Sequence, residues 1–240
     1  MSDESKSNKL TVPVKLGTGN APSWGLKGKL QNAQQSGTTL DNVATAKERI
    51  IIVADDSGSM DGLPMQQQKK AIAAFLGVCN PLDTAVGITP MNRERINLTL
   101  IHPVILSKTA GWPDHGGGGT PMFKALGQAL EQNPSRVVLV SDGQPMDGSA
   151  NHNNQWDDPS KEGKSPINPI LVKYQSATIK IDTVFIGDDS DKTGQAEMRA
   201  IAELTGGMYI FFKEGESFAK QFKYLAPAYY AMLTAGQIKL

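Results

Sequence analysis

Arg49-Ile50-Ile51-Ile52-Val53-Ala54-Asp55-Asp56-Ser57-Gly58-Ser59-Met60 is the stretch that decides the fold. Its first half is a short, unbroken apolar run rich in β-branched residues. Such a run, with no alternation, suits a strand buried on both faces, the signature of a parallel sheet. Its second half is an abrupt polar turn. A helical pattern follows, with Ile72, Phe75, Leu76 and Cys79 at i, i+3, i+4 and i+7. Strand, polar turn and helix in that order form the first unit of an α/β domain.

The pattern repeats along the chain. Thr84–Met91 and Ile96–Leu106 read as two strands joined by the charged turn Asn92-Arg93-Glu94-Arg95, a link short enough to permit only an antiparallel pair. Four glycines, Gly116 to Gly119, precede Thr120-Pro121 and a helix carrying Met122, Leu126 and Leu130. Arg136–Val140 is a second buried strand, ended by Ser141-Asp142-Gly143. A polar loop over 144–165 leads to a helix marked by Ile167, Ile170, Leu171 and Tyr174, with Pro166 and Pro169 tolerated in its first turn. Thr183–Ile186 is a strand, 193–205 a helix and Gly207–Phe212 the last strand. Phe218, Phe222, Leu225 and Tyr229 stripe a closing helix that Pro227 kinks. This alternation predicts a doubly wound α/β fold: a mostly parallel sheet, one antiparallel edge strand, and helices on both faces.

Residues 1–46 differ in texture from the domain at 47–240. Scattered Gly, Ser, Asn and Gln surround one alternating stretch, Leu10 to Val14, and a single large anchor, Trp24. The segment reads as an extension, partly extended and partly disordered, serving either as a loosely packed tail or as a docking arm. Lys+Arg and Asp+Glu both number 24. A zero balance removes the electrostatic argument for a nucleic-acid or anionic-membrane partner. Cys79 is the single cysteine, so no intrachain disulfide forms. The polar N-terminus lacks the basic and apolar regions of a secretory signal, and no apolar run is long enough to span a bilayer. A cytoplasmic protein is expected.

In an open α/β sheet, ligands bind beyond the carboxyl ends of the strands. Asp55, Ser57 and Ser59 follow the first strand, Asp142 follows the second long buried one, and Thr120 opens a helix after the glycine run. Two carboxylates and three hydroxyls should therefore converge. All are hard oxygen ligands, suited to Mg²⁺, Mn²⁺ or Ca²⁺ rather than Zn²⁺. Asp-x-Ser-x-Ser by itself is weak, arising by chance roughly once in 15 chains of this length. Its place between a buried strand and a helix, followed in order by Gly-Thr-Pro and Asp-Gly, gives it weight. A nucleotide-binding loop would need Gly-Lys-Ser/Thr where Gly119-Thr120-Pro121 stands. His102, His115 and His152 carry no ligand motif.

Over residues 48–235 the chain resembles a von Willebrand factor A domain, on the motifs Asp55-Asp56-Ser57-Gly58-Ser59, Gly118-Gly119-Thr120-Pro121 and Ser141-Asp142-Gly143. The resemblance implies a metal-ion-dependent adhesion site. Ser57, Ser59 and Thr120 would be its direct hydroxyl ligands, and Asp55 and Asp142 would act through water. It also implies metal-dependent protein binding rather than catalysis, with a partner carboxylate completing the ion's shell. Intracellular members of the family often act as adaptors, including for AAA+ ATPases of the MoxR type. Asp56 departs from the small or neutral residue common at its position. It either adds a carboxylate near the ion, where it would repel an acidic partner, or points into solvent. Trp156, in the 144–165 loop, is either a partner-binding anchor or folded back on the domain. The rival functions are a metal-dependent hydrolase or phosphatase, although Ser57 stands where a haloacid-dehalogenase-type enzyme needs its second Asp, and a structural subunit with a vestigial site.

Overall fold

The structure, a computed structural model, describes residues 43–150, 167–213 and 218–237. Trp156 and nearly all of the predicted 1–46 extension lie outside the described residues. In chain order the elements are β1 (Glu48–Ala54), α1 (Leu63–Val78), β2 (Thr84–Pro90), β3 (Ile96–Thr99), α2 (His102–Ala110), α3 (Met122–Leu130), β4 (Arg136–Ser141), α4 (Pro169–Ser176), β5 (Lys180–Gly187), α5 (Lys192–Thr205), β6 (Tyr209–Lys213), α6 (Phe218–Phe222) and α7 (Pro227–Thr234). Six strands make one sheet in the order β3-β2-β1-β4-β5-β6. Every neighbouring pair is parallel except β2 and β3.

The apolar run that opened the sequence is β1, at the middle of the sheet. Because side chains alternate along a strand, Ile50, Ile52 and Ala54 face one core and Ile51 and Val53 the other. On the first side they meet Ile72 and Phe75 of α1 and the aromatic cluster Phe212, Phe218 and Phe222. On the second they meet Phe123 and Leu126 of α3, Tyr174 of α4 and Ile201 of α5. Each such buried side chain contributes about 1.5–3 kcal/mol of transfer free energy. That both faces are covered explains why β1 shows no polar alternation.

Two elements differ from the sequence reading. The strand expected over Ile96–Leu106 ends at Thr99, and helix α2 begins at His102. Ile101, Val104 and Ile105 look strand-like by type, but Pro103 cannot donate to a ladder and is well placed in a helix's first turn. Ile105 and Thr109, four apart, then face inward. His102 is accordingly buried, its Nε2 2.8 Å from the Thr84 carbonyl. The closing helix is interrupted rather than kinked. α6 passes through a 3-10 turn at Lys223–Leu225, and Ala226 is extended before Pro227 starts α7.

At the amino end of β4, Arg136 and Asp182 form a buried ion pair at 2.8 Å. Asp182 also accepts from the Met208 amide at 2.9 Å and the Tyr230 hydroxyl at 3.0 Å. Arg136 donates to the Leu225 carbonyl at 2.5 Å and lies 3.8 Å over the Tyr230 ring. One charge pair thus fastens the C-terminal segment across the base of the sheet. Among the described residues no helix is long and apolar enough to cross a membrane.

Candidate metal site

Strand order reverses between β1 and β4, since the chain runs outward through β2 and β3 on one side and through β5 and β6 on the other. At such a switch point the loops leaving neighbouring strands diverge and open a crevice. Asp55 and Asp142 stand at that crevice. The Asp55 amide donates to the Val140 carbonyl at 2.9 Å, extending the β1–β4 ladder by one residue. The Asp55 side chain is fully buried. It accepts from the Ser57 amide at 2.9 Å and from the Ser141 hydroxyl at 2.5 Å. Its carbonyl accepts from Gln68 of α1 at 2.8 Å.

The hydroxyls close a chain across the crevice. Ser57 Oγ lies 3.0 Å from Ser59 Oγ, and Ser59 Oγ donates to Asp142 Oδ1 at 2.9 Å. Four of the five candidate ligands are therefore linked by side-chain bonds or share a backbone turn. Thr120 follows the glycine loop, whose backbone is bonded to the turn that carries Ser57 and Ser59. Gly58 N donates to the Gly118 carbonyl at 3.3 Å. A Cβ at position 116 would lie 1.8 Å from the Ser57 carbonyl oxygen, so only glycine allows the loop to pass there. Gly118 has φ +81, in the left-handed region. Thr120 itself is buried, and its carbonyl accepts from the Met146 amide at 2.9 Å.

Burial pushes the Asp55 carboxyl above its ordinary value, against the opposing hydrogen bonds from Ser141 and Ser57. Burial, followed by the charge of Asp55, pushes Asp142 up to about 6. Neither carboxylate forms an ion pair with a basic side chain among the described residues. Two like charges held together in a partly dry crevice are what a cation would relieve. The donors are all hard oxygens. Among the described residues no cluster of three or more His, Cys, Asp or Glu forms a metal site, so the set rests on two carboxylates plus hydroxyls. That composition fits Mg²⁺ and does not suit Zn²⁺.

Asp56 is placed differently from either sequence expectation. Its side chain is fully buried, facing neither solvent nor an approaching partner. It accepts from the Asn92 amide at 2.8 Å and lies 3.2 Å from Arg93 Nη1. In a strand-end turn consecutive side chains diverge, so Asp55 faces the crevice and Asp56 the end of β2. Its charge is held by Arg93 and not presented to a partner. Sequence reasoning also missed Asp147. Its carboxylate accepts from the Phe123 amide at 3.1 Å and the Lys124 amide at 2.8 Å, capping α3 and tying the strand-end loop of Asp142 to the helix that Thr120 precedes. No local pattern reveals a cap supplied from more than 20 positions downstream.

No family model matches the chain, and no curated relative does. Solved structures match on fold. Proximal thread matrix protein 1 from the mussel byssus superposes with a TM-score of 0.56 at 14% identity, over 75% of this chain and 46% of that one. The conserved hypothetical protein BatB from Bacteroides thetaiotaomicron gives 0.51 at 13% identity, over 78% and 98%. The vWF domain of the type V pili tip protein Mfa5 from Porphyromonas gingivalis gives 0.50 at 13% identity, over 81% and 98%. Sources as different as a pilus tip and a byssal thread leave the compartment open. With the sheet order, the single antiparallel strand and this likeness in hand, the chain has the von Willebrand factor A-type fold.

Proposed function

We propose that this domain is a non-catalytic interaction module that binds one divalent cation, Mg²⁺ ahead of Mn²⁺ or Ca²⁺, through Asp55, Ser57, Ser59, Thr120 and Asp142. The observation that carries the reading is the Ser57–Ser59–Asp142 chain beside a buried Asp55 that has no basic counter-charge among the described residues. A bound ion supplies attraction for a carboxylate, so the partner is a protein presenting an Asp or Glu side chain. The chain's own residues prepare the site. Ser141 and the Ser57 amide fix the Asp55 carboxylate, and Ser59 orients Asp142. With the three neutral hydroxyls as direct donors and the two carboxylates acting through water, the ion would keep its attraction for an incoming carboxylate. An adaptor role, with a MoxR-type AAA+ ATPase as partner, is consistent with such a module, and a single buried cysteine suits a cytoplasmic location.

Melting with pH tests this. Asp142 has a folded value of about 6 against an ordinary 3.8, so the folded state holds the extra proton between them. In EDTA, the Asp142 contribution to stability should therefore be lost as pH rises from about 4 to about 6, and the raised Asp55 carboxyl acts in the same direction. Because the ligand must be deprotonated, Mg²⁺ should raise the melting temperature clearly at about pH 8 and little at about pH 5. Saturation at 100 times Kd corresponds to about 2.7 kcal/mol. No stabilisation at either pH, or the same stabilisation at both, contradicts the reading.

A further inference from the structure

Asp56 is a fully buried carboxylate one residue from the candidate ligands, yet it faces away from them. Its contacts lead to the glycine loop by three routes. Asp56 Oδ1 accepts from the Asn92 amide at 2.8 Å, and Asn92 Nδ2 donates to the Gly119 carbonyl at 2.8 Å. Asp56 Oδ2 lies 3.2 Å from Arg93 Nη1, and Arg93 Nη2 donates to the His115 carbonyl at 2.8 Å. The Asp56 backbone carbonyl accepts from the Gly117 amide at 2.9 Å. The first and last residues of the 115–119 loop and its middle are thus all held from Asp56. A run of four glycines has more backbone freedom to lose than any other sequence of its length. Without these tethers it would not hold one fixed path into Thr120.

We infer that Asp56, Asn92 and Arg93 form a bracket that positions Thr120 and so sets the cation affinity while touching neither cation nor partner. This rests on the cation site proposed above. The bracket makes Asp56 a positioning residue and accounts for the burial of an acid at this position. Its charge is needed to hold Arg93, and Arg93 is needed to hold His115. Outer residues that orient metal ligands typically matter by about 10–100-fold in affinity.

The test compares the full chain with Asn92→Ala, which cuts the Gly119 tether, and Arg93→Met, which cuts the His115 tether. Arg95→Ala is the control. It removes a charge from the same turn, but Arg95 pairs with Glu131 at the surface and does not touch the loop. Two quantities are read well below each protein's melting point: Mg²⁺ affinity by calorimetry, and amide exchange over 116–120 in EDTA. Asn92→Ala and Arg93→Met should each bind Mg²⁺ about 10–100-fold more weakly. Each should also exchange faster, at Gly117 above all, and Arg95→Ala should match the wild type in both. Wild-type affinity in both bracket variants, or an equal loss in Arg95→Ala, overturns the bracket. If the wild type binds no Mg²⁺, the cation reading fails and exchange decides. Faster exchange in the two variants then upholds the bracket as a loop-holding device, and unchanged exchange overturns it.

Discussion

Replacing Asp182 by alanine should destabilise the domain by about 3–5 kcal/mol, the range expected when one partner of a buried ion pair is removed. Asp182 is fully buried and answers three donors: Arg136, the Met208 amide and the Tyr230 hydroxyl. Its loss leaves the buried guanidinium of Arg136 without a counter-charge and the Met208 amide without its acceptor. It also releases α7, since Tyr230 is that helix's polar contact with the base of the sheet. Urea denaturation followed by circular dichroism reads the change. Substituting both partners with apolar residues, Arg136→Met with Asp182→Leu, should recover much of the loss, because removing a buried pair together avoids an uncompensated charge. A loss below about 1 kcal/mol in Asp182→Ala would show that water reaches the pair and that the clasp is not a closed one.

Asp55→Asn should separate binding from stability. The amide matches the carboxylate in shape and can still accept from the Ser57 amide and meet the Ser141 hydroxyl, the two partners Asp55 has now. What it lacks is the charge. Mg²⁺ affinity should drop on the order of 100-fold. Metal-free stability should move the other way. The Asp55 carboxyl is held above its ordinary value by burial, so ionising it in the folded state costs folding free energy. Removing that charge should leave the EDTA melting temperature unchanged or raised, as is common where a functional group is held at the expense of stability. Asp55→Ala is the poorer experiment, because it empties a fully buried position and removes the acceptor of the Ser57 amide and the short bond from Ser141. A large fall in EDTA stability for Asp55→Asn, at unchanged Mg²⁺ affinity, would make Asp55 a structural group.

Much of this was legible in the sequence because it is written locally. The unbroken Ile50 to Ala54 run marked a strand covered on both faces, and the turn Asn92–Arg95 marked an antiparallel edge. The strand-end positions of Asp55 and Asp142, with the rule that ligands gather beyond the carboxyl ends of the strands, placed both acids in one region. What was not legible depends on partners distant in sequence. The direction of Asp56 is decided by Asn92 and Arg93, 36 positions away for the nearer hydrogen bond. The cap of α3 comes from Asp147, and the Arg136–Asp182 pair joins adjacent strands at residues without a shared motif. The α2 error has another origin: Ile101 to Ile105 are strand formers by type, and only Pro103 argued for a helix start.

The measurement that tests the central claim most directly is a calorimetric titration of Mg²⁺ into the EDTA-stripped full chain, run beside Asp142→Ala. Asp142 is only partly exposed, is linked to Ser59 at 2.9 Å and sits at the rim of the crevice, so its removal perturbs the core little. The account predicts a single saturating site in the wild type and none in the variant. A wild-type chain that gives no binding heat and no Mg²⁺-dependent stabilisation, or a variant that binds as the wild type does, would contradict it.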